Sequence, residues 1–268
     1  AEIINIAFGV TEDWLEYTYV RMCSILANGK NNKYKFFILS DIPEDKFNES
    51  FKPVYKKFSL ARPLSYPFEY EYIKMDNSDF DGVVHDIRVG ISAYYRLKLS
   101  TLTNVDKMLY LDSDVVVLDD ILTLWNYDTE NYLIGAVEDK YSSLMTCRAN
   151  LSDDDIYINS GVLLMNLKRF REENLEEKIF KKLREDNNDY SDQDVLNDMC
   201  RGRILYFPLK YNLMLTTDDP NAFPLRKEEY EAGIQAPMIL HYAIKPWFLP
   251  VQYSEYWREY SEKLKLTK

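Results

Sequence analysis

The segment 107–118 limits the possible folds of this chain more than any other, because an apolar run carries two carboxylates at its centre. It reads KMLYLDSDVVVL, with Asp112 and Asp114 on either side of Ser113. The run predicts a buried strand, in which ionised carboxylates are costly unless a cation or donor compensates them. Side chains two apart on an extended chain point to the same side, so both can meet one ion at the carboxyl edge of an open α/β sheet. The pair therefore predicts a site for a hard divalent cation. The alternative is a solvated turn, which acidic chains contain by chance.

Apolar strand-like runs alternate with amphipathic stretches along the chain, which predicts an α/β fold with a substantially parallel sheet. The predicted strands are residues 3–10, 34–40, 107–112, 132–138, 157–166, 203–207 and 237–242. The predicted helices are residues 14–26, 90–103, 169–186 and 192–200, the last of them capped by Ser191. Long irregular segments are expected at 60–89 and 212–236, where they would line the site. Nothing marks a second domain, so we expect one domain over residues 1–268 with a tail helix within 248–268.

The composition excludes some classes of protein. With 33 basic and 44 acidic residues the net charge is −11, which argues against a nucleic-acid-binding surface. The three cysteines are far apart, which favours free thiols in a reducing compartment. Without a predicted membrane span or signal peptide, we expect a soluble, cytoplasmic protein. The lysine-bearing tail from Trp257 onward is either a solvated end or a weak contact with the inner face of the membrane.

The end of the first predicted strand presents polar groups and a large ring at one point. A planar nucleobase needs a stacking surface and hydrogen bonds at its edge, which the residues at this end could supply: Gly9, Thr11, Asp13 and Trp14. The alternative is a helix cap followed by an ordinary core tryptophan. The chain contains neither a G-x-G-x-x-G motif nor a P-loop, so a dinucleotide or P-loop site has no motif behind it.

Two late segments add further candidates. His241, one of two histidines, is either a third metal ligand beside the aspartates or a satisfied core histidine. Lys245, held by Pro246, could contact a phosphate, or it is a surface lysine. Gln193 stands between Asp192 and Asp194 at the start of a predicted helix, where a neutral amide could orient a sugar hydroxyl or face a developing cation. The acids beside it also suit the helix dipole.

In these residues the chain resembles glycosyltransferase family 8, the retaining galactosyl- and glucosyltransferases. The resemblance rests on segments in the family's order, at 93–99 (AYYRLKL), 109–115 (LYLDSDV), 157–166 (YINSGVLLMN), 192–194 (DQD) and 241–247 (HYAIKPW). It implies the single-domain GT-A fold, a mixed and mostly parallel sheet flanked by helices, and a UDP-glucose or UDP-galactose donor. It also implies Mn²⁺ or Mg²⁺ on Asp112, Asp114 and His241, which bridges the donor diphosphate. The further residues implied at the donor or near the reacting carbon are Arg96, Asp112, Ser113, Asp139, Asn159, Ser160, Gly161, Asp192, Gln193 and Lys245.

Two segments depart from the family's pattern. Residues 10–14 read VTEDW where members commonly have a small residue, two acids and Asn before an aromatic residue. Between His241-Tyr242 and Lys245 the family usually has a segment with a phosphate-contacting glycine, but here only Ala243 and Ile244 intervene, so the loop is shorter. From the resemblance we expect retaining hexosyl transfer to a hydroxyl acceptor, a glycan or a lipid-linked saccharide. The alternatives from the carboxylates alone are a metal-dependent sugar-nucleotide nucleotidyltransferase or hydrolase, and the 22 tyrosines would also suit a non-enzymatic sugar-binding module.

Overall fold

A computed structural model describes residues 2–83, 90–185, 190–215, 223, 226–242, 245–246 and 253–265. Its strands are β1 (Ile3–Val10), β2 (Lys33–Ser40), β3 (Phe68–Lys74), β4 (Lys107–Leu111), β5 (Val115–Val117), β6 (Ile134–Glu138), β7 (Ile158–Asn166), β8 (Ile204–Tyr206), β9 (Leu213–Met214) and β10 (Ile239–His241). Its α-helices are α1 (Leu15–Asn28), α2 (Glu44–Leu60), α3 (Leu99–Leu102), α4 (Leu122–Trp125), α5 (Ser142–Met145), α6 (Leu167–Glu172), α7 (Leu175–Glu185), α8 (Asp192–Met199), α9 (Lys227–Gln235) and α10 (Ser254–Lys263). Short 3₁₀ helices cover Glu12–Trp14, Asn77–Phe80, Ile91–Lys98, Thr146–Ala149 and Leu209–Asn212.

A seven-stranded sheet with strand order β3-β2-β1-β4-β7-β6-β8 is the centre of the molecule. β3, β2, β1 and β4 run parallel, and β7 is antiparallel to both of its neighbours. Alternate residues of β1 enter two different cores: Ile4, Ile6 and Phe8 face one side, and Ala7 faces the other. This burial on both faces is typical of a parallel sheet covered by helices. A second, three-stranded sheet, β5-β10-β9, packs beyond the end of β4.

The predicted α/β architecture is confirmed, and each predicted strand is present to within two residues at either end. β4 ends at Leu111, so Asp112 is the first residue beyond the strand. The predicted cap of α8 is also present, because the Ser191 hydroxyl accepts from the Asp194 N–H, and the Asp194 carboxylate accepts from the Ser191 N–H.

Two predicted helices are wrong in detail. The segment predicted as a helix at 90–103 is a 3₁₀ helix from Ile91 to Lys98, followed by α3. Over two turns, apolar spacing does not separate 3.0 from 3.6 residues per turn. The predicted helix at 169–186 is two helices, α6 and α7, because Asn174 between them adopts a left-handed conformation with φ of 51°. Asparagine tolerates that region better than most residues, and the chain turns there.

The described parts of the two segments predicted to be irregular contain strands and helices. Residues 60–89 contain β3, which pairs along its whole length with β2, from Tyr34 opposite Phe68 to Ser40 opposite Lys74. The alternation of its sequence FEYEYIK is the period of an edge strand. Residues 212–236 contain β9 and α9, and residues 216–222 and 224–225 lie outside the described part.

The described part of the tail is a packed helix, α10, rather than a solvated end. In α10, Trp257 is 3% exposed and Tyr260 is 5% exposed. The Tyr260 hydroxyl accepts from Asn28 Nδ2 at 2.8 Å, which ties α10 to the end of α1. Lys263 forms an ion pair with Glu259 at 2.7 Å. The apolar face of the tail is therefore part of the core.

Candidate active site

Three potential metal ligands meet where β4, β5 and β10 come together. The turn from β4 to β5 carries Asp112 and Asp114. β5 pairs antiparallel with β10 so that His241 lies opposite Val115, the neighbour of Asp114. One ligand atom from each of Asp112, Asp114 and His241 lies within 4.8 Å of the others. The fold thus brings His241 to two aspartates that are far from it in the sequence.

Gly161 on β7 makes room for these ligands. Its carbonyl accepts from the Asp112 N–H at 2.8 Å, which extends the β4–β7 ladder by one bond. A Cβ at this position would lie 2.5 Å from Cε1 of His241 and 3.0 Å from Oδ2 of Asp112. Any side chain here would therefore push two of the candidate ligands out of position.

The charges in this cluster are closely paired. The Asp114 side chain is 13% exposed, His241 Nε2 lies 3.2 Å from its Oδ1, and Lys245 Nζ contacts its Oδ2. Burial alone would raise the pKa of Asp114, but His241 and Lys245 outweigh burial and hold this pKa below its usual range. Burial alone would lower the pKa of His241, but Asp114 raises it above its usual value. Two carboxylates beside an imidazole fit a divalent cation such as Mn²⁺ or Mg²⁺.

Arg96 joins the aspartate turn to α8. Its side chain is 2% exposed, its Nη2 donates to Asp112 at 2.7 Å, and its Nε lies 3.3 Å from Asp192. Nη1 donates to the Ser160 carbonyl, and the guanidinium lies 4.2 Å from the Tyr110 ring centroid. Burial would lower the pKa of Arg96, but the surrounding carboxylates raise it above normal. Burial raises the pKa of Asp192, although Arg96 opposes that shift. Arg96 thus compensates two buried carboxylates at once.

Gln193 is held by hydrogen bonds at both ends of its amide. The register between β6 and β7 shifts at Ala136 and Val137, an irregularity that falls beside Asn159 and Ser160. The Ser160 N–H donates to Gln193 Oε1 at 2.9 Å, and Gln193 Nε2 donates to Asp139 at 3.3 Å. Asn159 Nδ2 donates to the same Asp139 oxygen at 3.0 Å. These bonds restrict the orientation of the Gln193 amide.

Only two of the four residues predicted to bind a nucleobase border the cavity. Trp14 is half-buried and borders the cavity, and Lys245 Nζ lies 5.9 Å from its ring centroid. A Cβ on Gly9 would lie 2.4 Å from the Ser92 carbonyl oxygen, so the glycine lets the 3₁₀ helix Ile91–Lys98 approach β1. Asp13 is exposed, and the Thr11 carbonyl accepts from the Trp14 N–H at 3.0 Å. Neither Thr11 nor Asp13 borders the cavity, so their contact with a base remains a prediction.

A single cavity of about 780 Å³ connects these groups. Asp139 lies behind Gln193 rather than on the cavity wall. The predicted residues that line the cavity are Gly9, Trp14, Arg96, Asp112, Ser113, Asp114, Asn159, Ser160, Asp192, Gln193, His241 and Lys245.

Three residues near the site carry no sequence signal that singles them out. Asn212, fully buried, contacts His241 Nδ1 through its Oδ1 at 2.9 Å. Arg148 borders the cavity and lies 3.3 Å from Asp194. Arg21 in α1 is fully buried and donates to the Leu111 carbonyl at 2.6 Å, directly before Asp112. Burial lowers the pKa of Arg21 to about 10, so it still places a positive charge beneath the aspartates at neutral pH.

The sheet topology is that of the GT-A fold. The galactosyltransferase LgtC, solved in complex with donor and acceptor sugar analogues, aligns with a TM-score of 0.79 and 24% identity over 99% of this chain and 98% of LgtC. Residues 5–249 match the model of the family described as "Glycosyl transferase family 8", and the chain belongs to that family.

Relatives of known sequence agree with this assignment. The lipopolysaccharide 1,2-glucosyltransferase of Escherichia coli (strain K12) is 29% identical over 258 residues, which cover 92% of this chain and 73% of the relative. General stress protein A of Bacillus subtilis (strain 168) is 25% identical over 260 residues, which cover 92% of this chain and 88% of the relative. Within the described residues, no helix is both long and apolar enough to cross a membrane.

Proposed function

We propose that this glycosyltransferase moves glucose or galactose from a UDP-sugar to a hydroxyl of a cell-surface glycan or lipid-linked saccharide, with retention of anomeric configuration. Family membership supports sugar transfer, and the lipopolysaccharide glucosyltransferase among its relatives supports this class of acceptor. The chain would act as one catalytic domain that includes α10. The three free cysteines support a cytoplasmic location.

One observation carries the proposal: the candidate metal ligands and the Gln193 amide border the same cavity. A sugar nucleotide needs a cation at its diphosphate and neutral polar groups at its sugar, and the cavity offers both. A cation held by Asp112, Asp114 and His241 would supply Lewis-acid stabilisation of the leaving diphosphate. We expect Asp114 to be the stricter ligand, and Asp112, which Arg96 also engages at 2.7 Å, to divide its contacts between the metal and the ribose.

Lys245 supports a role at the donor phosphates. Its ammonium contacts Asp114 at the cavity wall, within 5.9 Å of the Trp14 ring centroid. From this position it can offer a positive charge to a diphosphate. Trp14 would provide the stacking surface for the base.

The residues around the reacting carbon favour attack from the same face as the leaving group. The Asp192 side chain is 4% exposed and its carboxylate accepts from Ser160 Oγ at 3.2 Å, so it is poorly placed to act as a nucleophile. The Gln193 amide is less nucleophilic than a carboxylate. It would instead face the positively charged sugar while Ser160 and Asp139 hold it in place. A covalent intermediate on Asp192 is the weaker alternative.

The donor and the metal can be tested together. UDP-glucose and UDP-galactose should each be added with and without Mn²⁺ while the melting temperature is followed, since a ligand of the native state raises it. NMR of the product should show retained anomeric configuration, and Asp114→Asn should weaken Mn²⁺ binding more than about 100-fold. The matched control is Asp106→Asn, because the Asp106 side chain is 70% exposed and pairs with Arg171.

Three results would contradict the proposal. An inverted product would refute retention. Pyrophosphate release would point to a nucleotidyltransferase, and release of free sugar at the same rate with and without an acceptor would point to a hydrolase. Full activity of Asp114→Asn in the presence of a chelator would refute metal dependence.

A further inference from the structure

We propose that Asn212 is a positioning residue that holds His241 in the tautomer required of a metal ligand and links it to the sugar-facing residue Asn159. The inference rests on the proposed metal-dependent transfer. Asn212 is fully buried at the end of the 3₁₀ helix Leu209–Asn212 and does not border the cavity, so it acts through its neighbours.

The orientation of Asn159 follows from a backbone donor. The Gly161 N–H lies 2.9 Å from Asn159 Oδ1 and can only donate, so this atom of Asn159 is its oxygen. The other end of the amide is then its NH₂ group. That group faces the Asp139 carboxylate at 3.0 Å, as a donor should.

The orientation of Asn212 follows from that of Asn159. The atom of Asn212 that lies 2.9 Å from Asn159 Oδ1 must donate, so it is Nδ2. Asn212 Oδ1 therefore faces His241 Nδ1, at 2.9 Å, and accepts a hydrogen bond from it. Nδ1 therefore carries a proton, which leaves Nε2, 3.2 Å from Asp114 Oδ1, as the nitrogen on the metal side of the ring.

The same bonds connect the metal ligand to the sugar end of the site. A series of hydrogen bonds runs from His241 through Asn212 and Asn159 to Asp139. Asp139 also accepts from Gln193 Nε2 at 3.3 Å. All the bonds in this series join side chains, and both Asn212 and Asn159 use the oxygen and the NH₂ group of their amides. A change at Asn212 should therefore affect metal binding and donor binding separately, according to which of its two bonds is lost.

Two variants separate these bonds. Asn212→Ala removes both, so we expect the affinity for Mn²⁺ without donor to fall about 10- to 100-fold. Asn212→Asp keeps an oxygen that accepts from His241 Nδ1. It loses the NH₂ group that donates to Asn159, and its second carboxylate oxygen would face Asn159 Oδ1, another acceptor. It should bind Mn²⁺ within about threefold of the unaltered protein, while its KM for the UDP-sugar at saturating Mn²⁺ rises about tenfold.

The measurement is Mn²⁺ binding to the full chain, by the electron paramagnetic resonance signal of free Mn²⁺, with thermal unfolding of each variant alongside. The matched control is Asn166→Ala, since Asn166 is also buried and donates its amide to a backbone carbonyl, that of Thr129 at 2.8 Å, at the start of α6. It should lose stability and keep its Mn²⁺ affinity.

Several outcomes would overturn the inference. Unchanged Mn²⁺ affinity in folded Asn212→Ala would remove the positioning role. Equal Mn²⁺ losses in the two variants would refute the tautomer argument, and an unchanged KM in Asn212→Asp would refute the link to Asn159. If the unaltered protein binds no Mn²⁺ at all, the proposed metal dependence fails and this role fails with it.

Discussion

Replacement of Gly161 by alanine tests most directly whether close packing builds the metal site. The new Cβ would lie 2.5 Å from His241 Cε1, whereas ordinary contacts begin at 3.4 Å. The imidazole or the β7 backbone must therefore retreat by about 1 Å. The same Cβ would lie 3.0 Å from oxygens of Asp112 and Asn159, so retreat in those directions is also obstructed.

The structure sets the size of the expected effect. Overpacking of this kind costs about 1–3 kcal/mol of stability, and a 1 Å displacement of reacting or ligating groups can cost about 100-fold in rate. We expect Gly161→Ala to remain folded, to bind Mn²⁺ at least about tenfold more weakly, and to lose about 100-fold in UDP release in the presence of acceptor.

Gly233→Ala is the matched control for this substitution. Its Cβ would lie 3.1 Å from Leu213 Cδ1, the end of a flexible side chain, and α9 should gain helix propensity. Mn²⁺ affinity and activity should be unchanged in this variant. If Gly161→Ala binds Mn²⁺ within twofold of the unaltered protein, the packing argument for Gly161 is wrong.

Two further predictions concern the thiols and the start of α8. In the native protein at pH 8, Ellman's reagent should modify the exposed Cys147 quickly and spare Cys23 and Cys200, because burial raises their pKa values to about 11 and about 12. Fast reaction of two thiols would show that a core segment opens. Ser191→Ala removes one half of the capping box of α8 and should cost about 1 kcal/mol. A loss of this size lowers Tm by about 2–4 °C for a chain of this length. Ser191→Thr should restore most of the lost stability. An unchanged Tm in Ser191→Ala would refute the contribution of the cap.

Part of the candidate site was predictable because its signals are local. The apolar run around Asp112 and Asp114 predicted both a buried strand and the position of the carboxylates at its end. The cap at Ser191 predicted the start of α8 and thus the place of Gln193. His241 and Lys245 were candidates that each had an ordinary structural alternative, and the resemblance to the family favoured the metal ligand and the phosphate contact.

Errors arose where local patterns are ambiguous. The segment 90–103 has apolar spacing that suits either helix type, and its packing against Gly9 is a tertiary contact. The strand β3 was missed within a segment that contains two prolines, although its residues alternate, because an edge strand needs a partner that only the fold supplies. The charges of the tail predict a solvated end, but the burial of Trp257 depends on its packing against α1.

The sequence by itself determined the class of fold, the family, and the types of chemical group available, since hydrophobic period and motif order are properties of neighbouring residues. Only the tertiary structure decided how those groups are oriented. The antiparallel pairing of β5 with β10 brings His241 to Asp114, and the missing side chain at Gly161 lets them approach. Asn212 then fixes the imidazole through hydrogen bonds between residues far apart in the chain, which depend on distance and direction in space.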